Sequence, residues 1–207
     1  MRWAVMNWTM QSPSKLDLSE TPLVLDTSVL INLIASNQIE AVAAALARPL
    51  LIEECVVREC CRDPRDGSDG RRLIATFADA GVLRVINLNE KETEQFIAFA
   101  GAPAPDDLGD GESATLACAL ERGYAVIDER KATRIAARDF PELRLISSLD
   151  LLCSSNSFAK LGEDGVAQAV QSAIKIGRMR VPHSWQEWLR CFLAKSPMVS
   201  PGAARLI

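Results

Sequence analysis

The chain has 207 residues, of which 48% are hydrophobic and 24% charged, and its net charge is −4. These values suit one globular domain with appendages. They exclude a molecule that gathers nucleic acid by its overall charge, so any such site must be local or must take its positive charge from metal ions. Six cysteines without a C-x-x-C pair, and a single histidine, His183, give no basis for a Cys/His zinc site or a disulfide framework. Cys55 and Cys118 lie inside apolar runs and are expected to be small core residues of a reduced, cytoplasmic protein.

Residues 1–21 lack a continuous apolar stretch and are expected to form a poorly ordered extension rather than a signal peptide. No run approaches the ~20 apolar residues of a membrane span, so no membrane partner is expected.

From residue 22 the chain alternates between two kinds of segment. "LVL" (23–25) reads as a short buried strand. "TSVLINLIAS" and "QIEAVAAALA" have helical spacing, broken at Asn37. "LLI" (50–52) is a second strand, "EECVVRECC" is helix-like, and "RDPRDGSDG" is a loop. "RRLIATFADAG" is an amphipathic helix ending at Gly81, a C-terminal cap. The strand "LRVI" and the helix "EKETEQFIAFAG" follow, then the loop "APAPDDLGDG" and the helix "ESATLACALERG". "YAVI" (124–127) is a strand, "RKATRIAARDF" a helix and "LRLIS" a last strand.

Short apolar strands alternating with helices predict βαβ units. Residues 22–153 are therefore expected to form an α/β domain with a central, mostly parallel sheet covered on both faces and at most one antiparallel edge. Residues 154–207 form a C-terminal helical extension, with helices over "DGVAQAVQSAIKIG" and "HSWQEWLRCFLA". In the second, Trp185, Trp188, Leu189 and Phe192 make an apolar stripe that packs on the domain or serves a partner or homodimer surface.

Four acids stand out. Asp26 and Asp128 end the strands "LVL" and "YAVI", and ligands of open parallel sheets bind beyond such carboxyl ends. Glu112 opens the helix after "LGDG", and Glu59 lies on the helix after "LLI". Each has a plainer role. Asp26 and Asp128 fit helix caps. Glu112 fits the positive end of a helix dipole with Asp110 as the cap. Glu59 fits a solvated position near Arg62. Taken together the balance changes, because acidic strand ends on one side of a sheet repel unless a cation is present. Oxygen donors point to Mg²⁺ or Mn²⁺, ions that serve phosphate chemistry.

"LVLDTSVLINLI", the "VVREC" helix, "LGDGESATLACALERG" and "YAVIDERKATRIAA" resemble the PIN domain, in the family's order and through nearly all of residues 22–153. The closest likeness is to the PIN-like branch with a G-x-G-E helix start and a D-E-R strand end. More loosely, "AIKIGRMRVPHSWQEWL" resembles that branch's C-terminal helices. The resemblance implies a three-layer α/β/α domain and a Mg²⁺- or Mn²⁺-dependent ribonuclease, in many members a VapC-like toxin of a type II toxin–antitoxin pair. It assigns the catalytic acids to Asp26, Glu59, Glu112 and Asp128, with metal on Asp26, Glu112 and Asp128 and support from Ser28 and Asp110. The Glu59 match competes with Glu53 and Glu54, and Glu112 stands where many such toxins have Asp.

Arg130, Arg134 and Arg138 recur every four residues on one helix face, with Lys131 beside them, and are candidate RNA contacts. Arg62, Arg65, Arg71 and Arg72 flank the polar loop as a second candidate clamp. Expected partners are an RNA substrate, a small antitoxin and a second copy of the chain. The alternatives are a non-catalytic PIN-fold module that binds RNA or protein, and a metal-dependent phosphatase or DNA nuclease.

Overall fold

The structure is a computed structural model and describes residues 12–17 and 20–196. The expected poorly ordered extension falls partly on residues 1–11, 18 and 19, which lie outside the described residues. Residues 12–17 run alongside the domain. The Ser12 and Ser14 hydroxyls donate to the carbonyls of Cys153 (2.6 Å) and Asp150 (2.8 Å), and the Lys15 amide donates to the Asp150 carboxylate (2.7 Å).

Five short strands form the sheet: β1 (Leu23–Leu25), β2 (Leu50–Glu53), β3 (Arg84–Ile86), β4 (Tyr124–Val126) and β5 (Leu145–Ile146). Their order is β3-β2-β1-β4-β5, and every pair is parallel. Side chains alternate between two cores, as the pleat demands. Leu23, Leu25, Leu50, Ile52 and Val126 face one, while Val24, Leu51, Ala125 and Ile127 face the other. Burial on both sides explains why these strands are apolar throughout.

The helices follow in chain order: α1 (Thr27–Ala35), α2 (Ile39–Leu46), α3 (Glu54–Glu59), α4 (Gly70–Asp79), α5 (Glu90–Ala100), α6 (Asp110–Arg122), α7 (Arg130–Asp139), α8 (Ser148–Leu152), α9 (Ser155–Lys175) and α10 (His183–Lys195). Buried residues of α5, α6 and α7 fill the second core, and those of α1, α2, α4, α8, α9 and α10 the first, which gives three layers. Asn37 breaks α1 from α2 with a left-handed φ of 57°, and Gly81 follows α4 at a φ of 71°. No single described helix is long and apolar enough to cross a membrane. The pair α1–α2 has the length and composition of a span but is bent by 110°, and its apolar residues lie in the core.

Three local expectations need correction. The chain forms α8 directly after the last expected strand, where no element was expected. Helix α9 begins at Ser155 rather than near residue 164, and continues through a kink at Gly162 (φ 68°). Helix α6 begins at Asp110 with Gly109 as its cap, so Asp110 is not the cap.

The apolar stripe of α10 is settled by burial. Trp185, Leu189 and Leu193 join the same core as Leu23 and Leu25 of β1, and Trp188 stacks on Phe192 with their ring centroids 4.9 Å apart. Phe158 of α9 meets both rings edge-on. The stripe therefore packs on its own chain through Trp185 and Leu189, with Trp188 and Phe192 half-buried. Leu189→Ala should lower the unfolding free energy by about 2–5 kcal/mol, the range for deleting a buried leucine side chain. Urea denaturation of the purified variant measures this, and a loss within error would mean that α10 is peripheral to the core.

Candidate functional site

In a sheet wound outward in two directions, ligand binds where the winding reverses. Here β1, β2 and β3 run to one edge, and the chain resumes at β4 on the other side of β1. The reversal lies between β1 and β4, whose residues Leu25 and Val126 are paired. Asp26 follows β1 directly, and Asp128 stands two residues past β4. The Asp26 amide donates to the Val126 carbonyl (3.1 Å), so the sheet itself draws the two strand ends together.

Asp26 caps α1 and is almost fully buried. Its Oδ2 accepts from the Ser28 hydroxyl (2.7 Å) and the Ser28 amide (3.2 Å). Burial raises its pKa above the ordinary 3.8, against the lowering effect of the Ser28 and Thr27 hydrogen bonds, and the negative charge of Glu59 adds to the rise. Asp128 is not a cap, since the residue capping α7 is Glu129. Its carboxylate turns to the other side, where it accepts from the Ser148 amide (2.9 Å), the Ser148 hydroxyl and the Asn32 side-chain amide (2.8 Å). Burial again raises the pKa, those hydrogen bonds oppose it, and the Asp26 charge adds to it.

Glu112 reaches back to accept from the Gly109 amide (3.0 Å) at the start of α6. Its pKa is raised by burial, then by the charges of Asp26 and Glu129. Glu59 is exposed, as a solvated position would be, but it is not free. It accepts from the Thr27 hydroxyl and from the Gly111 amide (3.0 Å), and so ties the ends of α1, α3 and α6 to one another. Gly111 leaves room for that approach, since a Cβ there would lie 2.5 Å from the Glu59 carboxylate and push it aside. Glu53, one of its two sequence competitors, is buried and occupied capping α3, and Glu54 is exposed.

The four acids thus gather around Asp26 from four segments, each held by its own donors. Among the described residues no group of three or more acidic, His or Cys side chains is placed to hold a metal ion as it stands. The donor set still suits a hard divalent cation. It consists of carboxylate and hydroxyl oxygens, and Asp26 and Asp128 make no ion pair among the described residues. Their raised pKa values come first from burial and only then from neighbouring negative charge.

Sequence reasoning missed Asn32, Ser148 and Thr27, which hold Asp128 and Glu59. The signal for Asn32 was present, as the one amide in the apolar run "VLINLI". The basic face of α7 is largely occupied: Lys131 pairs with Asp107 (2.9 Å), Arg134 with Asp106 (3.3 Å), and Arg138 with Asp106 (2.7 Å) and Asp139 (2.6 Å). Arg130 makes no ion pair among the described residues. In the polar loop Arg65 is committed to Asp63 (2.7 Å) and to Asn37 (2.9 Å), while Arg62, Arg71 and Arg72 are exposed.

A family model described as a PIN domain matches residues 22–187, which takes in the whole sheet, all of α9 and the start of α10. No curated protein and no solved structure matches the chain.

The raised pKa of Asp26 has a definite sign. Its folded value lies above the unfolded 3.8, so between those two values the folded protein binds more protons than the unfolded one, and stability falls as pH rises through that window. In EDTA, Asp26→Asn should therefore be more stable than the parent at neutral pH, and the gain should vanish as the pH approaches 4. Urea midpoints of both proteins between pH 4 and 8 give the answer. Superimposed profiles would show that Asp26 acts only as a cap, because Asn caps about as well as Asp.

Proposed function

The chain belongs to the PIN-domain family, whose members are generally nucleases that use divalent metal ions, and we propose that it is a Mg²⁺- or Mn²⁺-dependent endoribonuclease. The observation that supports this reading is the approach of Asp26 and Asp128 at the reversal of the sheet, with Glu112 and Glu59 within electrostatic reach of Asp26. Asp26, Glu112 and Asp128 would hold the ion, with Glu59 supporting. When bound, a divalent cation supplies Lewis acidity toward a phosphodiester and lowers the pKa of the attacking water.

The protein's own part is orientation. Ser28 fixes one oxygen of Asp26. Asn32 and Ser148 hold both oxygens of Asp128 from one side. Thr27 and the Gly111 amide fix Glu59. Outer hydrogen bonds of this kind set the direction and basicity of ligating carboxylates. Of the proposed RNA contacts, Arg130 is available as it stands, whereas Lys131, Arg134 and Arg138 would have to exchange aspartate for phosphate.

The biological role proposed is that of a cytoplasmic toxin neutralised by a small antitoxin. A second reading, a non-catalytic module that binds RNA or protein, is favoured by one fact: all four acids are already engaged by donors of the chain itself.

Activity and metal binding separate the two. Purified protein should cleave RNA with Mn²⁺ and stop in EDTA, and folded Asp128→Asn should not cleave. Asn32→Ala should lose about 10–100-fold, as removal of an outer-shell partner does. Excess Mn²⁺ should stabilise the parent by about 2.7 kcal/mol at a hundred times Kd, because it binds only the folded form. Asp26→Asn should gain much less. Cleavage by Asp128→Asn at the parent's rate would place the activity elsewhere, and melting curves unmoved by millimolar metal would favour the non-catalytic module.

A further inference from the structure

The sequence pattern drew attention to the basic face of α7, but a different set of cations lies against the acids. Between α9 and α10 the chain makes a tight turn across the site. Gly177 lies so close to Asn32 that a Cβ there would stand 2.7 Å from the Asn32 side-chain oxygen. Arg178 then takes a left-handed φ of 58°, and the Met179 amide donates to the Ala173 carbonyl (3.1 Å). Met179 is buried, and Arg178 and Arg180 on either side of it are exposed. Neither arginine makes an ion pair among the described residues. The turn thus passes close to the residue that orients Asp128, and it puts Arg178 and Arg180 on the wall of a cavity that Asp128 also lines.

Two cavities meet at this point. A smaller one of about 220 Å³ is lined by Ser28, Asn32, Asp128, Arg178 and Arg180. A larger one of about 390 Å³ continues away from the acids between α7, β5 and the start of α10. Asp128 and Arg180 line both. The larger cavity has apolar walls, including Ile146 and Trp185, and cations at Lys15, Arg130 and Arg180. Its second acid, Asp150, is already used within the chain, accepting from the Lys15 and Ser147 amides and the Ser147 hydroxyl.

An apolar chamber rimmed by cations fits a nucleotide, with the base against the walls and the phosphates on the arginines. Resting on the ribonuclease reading above, we propose that this cavity is the subsite for the nucleotide next to the scissile phosphate, and that Arg178 and Arg180 clamp the RNA backbone across Asp128. A chain of net charge −4 has little general attraction for RNA, so binding must be concentrated where unpaired cations stand together. An acidic segment of a protein partner is the competing occupant. The base-sized apolar chamber beside the phosphate chemistry favours RNA.

The test reads binding in EDTA, separately from cleavage. A fluorescent single-stranded RNA of mixed sequence is titrated against the parent, Arg178→Ala/Arg180→Ala, and Arg84→Ala as a control on the exposed far edge of the sheet. The double variant should bind about tenfold or more weakly, as expected for lost bonds to charged groups. Its slope of log affinity against log salt should fall by about 1.4, or ~0.7 per phosphate contact. The control should match the parent. RNA carrying 4-thiouridine should crosslink within residues 178–185.

Double-variant affinity equal to the parent's, or crosslinks confined to the outer face of α7 or to residues 62–72, would overturn the subsite and leave its cations to a protein partner. If the parent binds RNA as described yet does not cleave it with Mn²⁺, the ribonuclease reading falls and the subsite stands. If the parent cleaves and the double variant binds as well as the parent, the subsite falls and the ribonuclease reading stands. Absence of RNA binding by the parent would overturn both.

Discussion

The pairing of β1 with β4 is the constraint on which the rest depends. Parallel strands need a crossover, and this chain makes two crossovers before a third returns β4 to lie beside β1. That return brings Asp26 and Asp128 side by side, about a hundred residues apart in sequence, in a place where burial makes negative charge expensive. Neither carboxylate is needed to make the sheet, whose stability comes from apolar side chains on both faces. The cost is met locally, by Ser28 for Asp26 and by Asn32 and Ser148 for Asp128. A fold that keeps two such groups together at a crevice has the character of a functional site, since structural needs alone would favour apolar replacements.

What the sequence made legible follows from the range of the interactions involved. Strand ends, the break at Asn37 and the turn at Gly81 are local, and the apolar runs showed them. The acids at the ends of "LVL" and "YAVI" were legible because a strand end fixes where the next side chain can point. The partners of those acids were not. Asn32 reaches Asp128 across 96 residues and Ser148 reaches it across 20, and nothing in spacing or propensity couples them. The basic stripe of α7 shows the same limit from the other side. Its periodicity was real, but Asp106 and Asp107, in a loop read only as a loop, neutralise most of it.

Helix capping and site-building are not competing explanations here. Asp26 caps α1, and Glu112 folds back on the start of α6, as the plainer roles predict. Yet a capping carboxylate is by construction held at the positive end of a helix, close to backbone amides, in a fixed direction. Two helix starts, α1 and α6, meet at this site, and Glu59 joins them through Thr27 and Gly111. The caps therefore serve as the mounting of the acids. They explain how the chain holds several carboxylates near one another before any cation arrives.

The C-terminal helices belong to the same construction. Their apolar residues complete the core under β1, and the turn between them rests on Asn32, the residue that steers Asp128. A displacement of α9 or α10 would therefore disturb both the packing under β1 and the surroundings of Asn32. This gives the segment after residue 153 a place beside the acids that its sequence, read as a pair of amphipathic helices, did not disclose. The family match running on to residue 187 is in keeping with that. The central sheet brings the acids together, and the helices beyond it complete the core under β1 and wall the cavities that open at Asp128.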